Sequence, residues 1–335
     1  MSTPRVPDGG LRPIGAGPVV CVGETMAALA PEPVAPLDDA ELLRLDIAGA
    51  ESNVAMYLAD HGVPVRWVSA LGDDPFGGRI RERVASFGVD VTGVRTDPTR
   101  PTGLLIKNPG ADGTRVHYYR RGSAASALGP EVLRSAAVRG AGLVHLTGIT
   151  PALSESCRAL AEEALAPGRP YPVSFDVNHR AALWTGRPAG ESAGEILHAL
   201  ADRADLVFVG LDEAQALWGP AVTDASAVRA LLPGPRVVVV KDGGRAATAY
   251  LGQVPHTVPA LPVEVVEPVG AGDAFAAGFL AGLRAAGDPV HAVRLGHLTA
   301  AAALRVTADH GPLPPAARMR ELLAADERTW ASQAP

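Results

Sequence analysis

The sequence predicts an α/β protein: a doubly wound, mostly parallel sheet with helices on both faces and a small β-sheet lid. Three observations carry that prediction. Short, continuously apolar runs alternate with amphipathic helical patterns along most of the chain, as expected of parallel strands covered on both faces. Two stretches, 26–47 and 102–119, break this alternation and read as extended, partly polar strands joined by turns. A glycine-rich turn, Gly270-Ala271-Gly272, opens a long helical pattern, a junction that suits the binding of phosphate.

Residues 1–17 are rich in Pro, Gly and Arg and lack an apolar segment, so they read as a flexible tail rather than a secretion signal. A strand is expected over Val19–Gly23, then the first lid stretch, a helix over Ser52–His61, a strand over Val65–Ala70 and a helix over Pro75–Phe87. The second lid stretch follows. Beyond about residue 140 the apolar runs are Leu143–Leu146, Pro172–Phe175, Leu206–Val209 and Val237–Val240. The helical patterns between them are Pro151–Ala166, Ala189–Ala201 and Leu211–Trp218, with Thr150 ahead of Pro151 as a helix start. A strand over Val263–Val266 leads to three helices, Ala271–Ala286, Pro289–Ala303 and Pro315–Ala325. Residues 18–325 thus form one domain, and 326–335 read as a C-terminal tail.

Composition narrows the function. The chain has 335 residues, 47% hydrophobic and 20% charged, with a formal net charge of −6. It shows no basic patch for nucleic acid and no uncharged apolar stretch long enough to span a bilayer. Its two cysteines, Cys21 and Cys157, lie in apolar or helical patterns and read as small buried hydrophobes. Without a disulfide framework the expected compartment is reducing, and the expected location cytoplasmic. The only lysines are Lys107 and Lys241; a GC-rich coding bias toward arginine accounts for that.

The chemistry concentrates at Gly270–Phe279. Glycines permit a tight turn that brings bare N–H groups to a ligand, and a helix N-terminus favours negative charge. Asp273 lies in the first turn, where the dipole is expected to keep it ionised. A carboxylate beside a bound γ-phosphate can accept the proton of an attacking hydroxyl, as phosphoryl transfer to an alcohol requires. The plainer alternative is a favourable first-turn acid with glycines that serve packing. A dinucleotide fingerprint fails because Phe275 occupies its third glycine position, and a phosphate-binding P-loop fails because neither lysine follows a glycine.

Gly270-Ala-Gly-Asp273 with the following Ala-Phe-Ala-Ala-Gly-Phe resembles the C-terminal signature of the ribokinase-like (PfkB) carbohydrate kinases. Ala48-Gly-Ala-Glu-Ser-Asn53-Val-Ala55 resembles their N-terminal substrate motif, Leu71–Gly77 the segment after it, and Lys241-Asp-Gly243 their strand-end loop near the nucleotide. The resemblance spans roughly residues 18–315. It implies ATP and Mg²⁺ and an anion hole from the backbone of Gly270, Ala271 and Gly272. It also implies nucleotide contacts from Lys241 and Gly243 and a homo-oligomer assembled through the lid.

Within the family, three segments resemble the 2-keto-3-deoxygluconate kinases: Tyr118–Ala125, Gly148–Leu153 and Asp176–Trp184. By that resemblance Gly49, Asn53, Tyr118, Arg120, Ile149 and Arg180 line the acceptor site. Arginine forks suit the carboxylate of a sugar acid; a neutral sugar would leave Arg120 and Arg180 unpaired. The implied reaction is phosphorylation of a terminal hydroxyl, giving the 6-phosphate. The alternatives are another ribokinase-like kinase acting on fructose, ribose or a nucleoside, and a catalytically silent sugar or nucleotide sensor. Three positions depart from the family pattern: Ala48 for a glycine, Glu267 for an aspartate, and Gly210 for the asparagine of an Asn-x-x-Glu motif. Glu213, the acid of that motif, is the expected metal contact through water.

Overall fold

The computed structural model describes residues 14–110, 113–185, 191–333 and 335. Residues 1–13 of the expected tail and the first residues of the helix expected from Ala189 lie outside the described residues. The larger sheet has nine strands: β1 (Val19–Val22), β4 (Val65–Gly72), β5 (Val94–Asp97), β8 (Leu143–Thr147), β9 (Val173–Asp176), β10 (Leu206–Gly210), β11 (Val237–Asp242), β12 (Ala246–Leu251) and β13 (Val254–Pro259). Their spatial order is β13-β12-β11-β10-β9-β8-β1-β4-β5. Every pair from β5 to β11 is parallel, and β12 and β13 add antiparallel.

The continuously apolar runs are explained by two cores. Val19, Cys21, Leu206, Phe208, Val237 and Val239 face one core, and Val20, Val22, Val207, Val209, Val238 and Val240 face the other. Each strand therefore alternates between faces while every residue is apolar. Helices α1 (Ala50–Asp60), α2 (Pro75–Ala85), α8 (Ala271–Ala286), α9 (Pro289–Leu304) and α10 (Ala316–Ala324) cover the first face. Helices α3 (Thr150–Leu153), α4 (Glu155–Ala164), α5 (Ala193–Ala201), α6 (Leu211–Trp218) and α7 (Ala225–Leu231) cover the second.

The two anomalous stretches form a four-stranded sheet of order β3-β2-β6-β7, from β2 (Met26–Pro31), β3 (Leu43–Ala48), β6 (Leu104–Gly110) and β7 (Gly113–Tyr119). Among the described residues no helix is long and apolar enough to cross a membrane.

Several local expectations are corrected. Val263–Val266 is not a strand; Val265 and Val266 are more than half exposed, and the Val266 N–H donates to Leu304. Thr150 is inside α3, and Ser154 splits the expected helix by capping α4 at the Cys157 amide. The C-terminal tail holds helix α11 (Glu327–Ser332), anchored by a fully buried Trp330 whose Nε1–H donates to Pro259 at 2.8 Å. Residues 14–17 are docked too: Gly15 donates to Gly142, and the Arg284 guanidinium donates to the carbonyls of residues 15–17.

Candidate active site

The carboxyl ends of β9, β10 and β11, the N-termini of α1 and α8, and the inner face of the lid enclose a cleft of about 590 Å³. Such sheets bind ligands at the carboxyl ends of their strands. Gly270 begins α8 with φ of 85°, a left-handed value that suits glycine. The glycine is needed for space as well, since a Cβ there would lie 2.7 Å from the Asp309 carbonyl oxygen.

One turn on, Asp273 is buried at 7% exposure. Its Oδ2 accepts from Asn53 Nδ2 and its Oδ1 from Asn178 Nδ2, each at 3.0 Å. Burial pushes its pKa up to about 7, against the Asn53 hydrogen bond and the nearby charges of Arg180 and Lys241. Desolvation thus works against the helix dipole that was expected to keep Asp273 ionised.

Lys241, at the end of β11, donates to Asp176 Oδ2 at 2.8 Å. Burial alone would lower its pKa, but the Asp176 and Glu213 carboxylates hold it above the usual lysine value. A side chain on Gly272 would come within 3.3 Å of Lys241 Nζ, so the ammonium sits at the glycine turn. Glu213 accepts from the backbone N–H groups of His179 and Gly210. Burial and the Asp176 charge raise its pKa.

On the lid side, Gly49, Asn53, Tyr118, Arg120, Ile149 and Arg180 all line the cleft. Gly49 is required sterically, because a Cβ there would lie 2.5 Å from the Glu24 carbonyl oxygen. Arg120 differs from expectation. It is nearly fully buried, and Glu24, 2% exposed, already neutralises it, accepting from Nε at 2.6 Å and from Nη2 as well. A neutral substrate would not leave Arg120 unpaired, so only Arg180, exposed and bonded to its neighbour's carbonyl, keeps that argument.

Two further expectations shift. Gly243 does not line the cleft; with φ of 51° it turns β11 into β12, so the strand-end loop folds back as a hairpin. Ala271 does not line it either: its N–H is directed to the Pro268 carbonyl at 3.4 Å, leaving Gly270 and Gly272 at the surface of the turn. Residues 297–304 close α9, with His297 buried and its Nε2 at 3.1 Å from the Val258 carbonyl.

Residues 17–315 match the profile described as pfkB family carbohydrate kinase. The chain belongs to the pfkB family of carbohydrate kinases. A 2-dehydro-3-deoxygluconokinase of Thermoproteus tenax is 33% identical to this kinase over 310 residues, covering 92% of this chain and 94% of that protein. A 2-dehydro-3-deoxygalactonokinase of Haloferax volcanii is 33% identical over 301 residues, covering 88% and 92%. The crystal structure of a PfkB protein from Polaromonas sp. JS666 is 34% identical with a TM-score of 0.78, covering 92% of this chain and 100% of that one. A fructokinase with bound ATP from Xylella fastidiosa is 26% identical with a TM-score of 0.76, covering 90% and 97%.

The cleft of this kinase contains residues that the motifs did not single out: Asp176, Asn178, Lys107 and Asp309. Asp176 and Asn178 stood inside a quoted segment, and their Asp-x-Asn spacing is itself a turn signal. Lys107 and Lys241, the chain's only lysines, both line the cleft.

Proposed function

We propose that this carbohydrate kinase transfers the γ-phosphoryl of ATP to a terminal hydroxyl of a sugar acid, 2-keto-3-deoxygluconate being the acceptor that fits best, to give its 6-phosphate. The observation that carries the transfer is the buried carboxylate of Asp273 in the first turn of α8, lining the same cleft as Gly270 and Gly272 of the glycine turn. The hydroxyl oxygen attacks the γ-phosphorus as its proton passes to Asp273 Oδ. The bond from phosphorus to the bridging oxygen breaks, and ADP leaves. Charge on the transferring group is met by the glycine-turn amides, the α8 dipole and the Lys241 ammonium.

The sugar-acid reading is supported by Arg180, whose guanidinium faces the cleft without a carboxylate partner in the described structure, and by the names of the relatives. Arg120 contributes through the guanidinium edge that Glu24 does not occupy. Mg²⁺ takes oxygen ligands and keeps several waters. Asp176 and Glu213 are two cleft carboxylates that share the Lys241 charge, and since both oxygens of each already accept protein N–H groups, they would hold the ion through water. The ion would neutralise phosphate charge. Assembly through the lid remains part of this proposal, with Val34, Leu42, Leu43 and Tyr119 as exposed apolar residues of that sheet and its connections.

The test is a coupled ADP-release assay over a panel of 2-keto-3-deoxy acids, their C4 epimers, fructose, ribose and nucleosides. The highest kcat/KM is expected on a keto-deoxy acid. A neutral sugar preferred over every acid would overturn the specificity and leave the kinase assignment in place.

A further inference from the structure

Asp273 is gripped on both oxygens by amides that come from opposite sides of the cleft. Asn53 belongs to α1, 220 positions away, and Asn178 to the loop after β9, 95 positions away. The Oδ1 atoms of both asparagines are buried without a hydrogen-bond partner. The interaction each amide does make is with Asp273.

Asn178 is also held in an unusual backbone state. Among the described residues it is the one non-glycine with positive φ, 39°, a region that asparagine tolerates better than most residues. The loop is pinned around it. Val177 N–H donates to the Phe208 carbonyl, Asn178 N–H to Asp176 Oδ1, and His179 N–H to Glu213. Asp176 is fixed in turn by Lys241. Strained backbone persists where its surroundings over-determine it, and it gathers at functional sites. Here it aims one amide at the base.

We infer that Asn178 is a positioning residue for the catalytic base: it fixes the rotation of the Asp273 carboxylate and, by donating to it, favours the form that can take the hydroxyl proton. The inference rests on the kinase reading with Asp273 as base. The other charged or titratable groups around Asp273 are Arg180, Lys241, Asp176 and Tyr57. Arg180 and Lys241 favour the carboxylate and Asp176 opposes it. None is removed by a substitution at 178.

Two variants test this. Asn178→Gly deletes the amide and tolerates positive φ; Asn178→Asp keeps shape and backbone but exchanges a donor for a second carboxylate. Losing a donor to the charged form raises the pKa of an acid, and adding a like charge raises it further. The acidic limb of the kcat–pH profile should move up by about one unit in Asn178→Gly and farther in Asn178→Asp, about tenfold in rate per unit below the limb. Much of the loss should return above pH 8.5, with the ATP KM within about twofold of wild type. A purely structural role would lower kcat alike at every pH.

Profiles that superimpose on wild type would overturn the inference. So would a raised sugar KM with kcat intact, which would make Asn178 a substrate contact, or loss of the folded state in both variants, which would make it a scaffold residue. Wild-type turnover and its loss in Asp273→Asn test the kinase reading separately. An active wild type, a dead Asp273→Asn and unshifted Asn178 variants would sink the positioning role alone.

Discussion

Lys107 of lid strand β6 donates to Asp309 Oδ1 at 3.0 Å across 202 positions of sequence, with both side chains more than nine-tenths buried. Lys107 Nζ also reaches the Thr307 carbonyl, and Arg44 of β3 donates to Thr307 Oγ1 at 2.9 Å. Two lid strands are therefore fastened to one loop, and the Asp309 carbonyl of that loop packs on Gly270 at the phosphate turn. The position of the lid and the shape of the turn are linked through this ion pair and the two hydrogen bonds to Thr307.

Breaking a buried pair by removing one partner leaves an uncompensated charge and costs on the order of 3–5 kcal/mol. Lys107→Met should lower the melting temperature clearly and raise the KM for both substrates. The double variant Lys107→Met/Asp309→Leu removes both charges and should recover most of the stability but not the KM. Differential scanning calorimetry on the wild type, the single variants Lys107→Met and Asp309→Leu and the double variant decides it: stability losses that simply add would show that the two residues are not coupled.

Arg180 should separate the two substrates. If it receives the sugar-acid carboxylate, Arg180→Lys loses a charge-assisted fork worth about 1.5–3 kcal/mol. The sugar-acid KM should rise about tenfold or more while the ATP KM stays near its original value. Initial-rate kinetics with each substrate varied in turn checks this, and an unchanged sugar-acid KM removes Arg180 from the acceptor site.

What the sequence made legible follows from how local each signal is. Strands β1, β4, β8, β9, β10 and β11 are legible because both faces are buried, so Val237–Val240 is apolar at every position, whereas β5, Val94–Asp97, is largely exposed and carries no such run. The β12–β13 hairpin carries no continuously apolar run, whereas Val263–Val266 imitates a strand. Val263 packs half-buried against the first core, while Val265 and Val266 are exposed where the chain crosses toward the end of α9. Helix α11 was missed because one residue, Trp330, anchors it, and a single aromatic has no periodicity. In the site, Asp273 and Asn53 lie in compact motifs and were found. Glu24 and Asp309 were not, because their partners, Arg120 and Lys107, are 96 and 202 positions away. Arg120 was identified as a cleft residue, yet its pairing depended on Glu24, which no local pattern marks.

The pH dependence of turnover should report the buried base. Asp273 has its pKa pushed up to about 7 by burial, and it accepts a proton only when ionised. Activity should therefore fall as pH drops through about 7. Because kcat/KM reports the free enzyme only when neither substrate saturates it, the measurement is kcat/KM for the sugar acid between pH 5 and 9 at ATP well below its KM. A limb near pH 4 would mean that the carboxylate is far better solvated than its burial indicates.

Asp273→Asn carries the decisive outcome, because it should separate activity from stability in opposite directions. The amide keeps the shape but cannot take the hydroxyl proton, so kcat should fall by ~10²–10⁴-fold. ATP binding should persist or tighten, since a negative charge leaves the phosphate turn. For stability the sign is set by the raised pKa. An aspartate is ordinarily near 3.8, and folded Asp273 is near 7, so the folded state holds its proton across that window while the unfolded state has lost it. The stabilisation present at low pH is lost as pH rises through about 7. At about 1.4 kcal/mol per unit, the buried ionised carboxylate costs the wild type a few kcal/mol at pH 8. The substituted amide does not ionise and escapes that cost. Its new Nδ2 donor can be met if the Asn53 or Asn178 amide flips and presents its unpartnered Oδ1. The variant should thus melt at or above the wild-type temperature at pH 8, with a smaller change in melting temperature between pH 5 and 8. Calorimetric titration of ATP, a turnover assay and thermal melts on one preparation give all three readings. Near-normal turnover would end the role of Asp273 as base, and a melting temperature well below wild type at pH 8 would end the claim that its burial is costly.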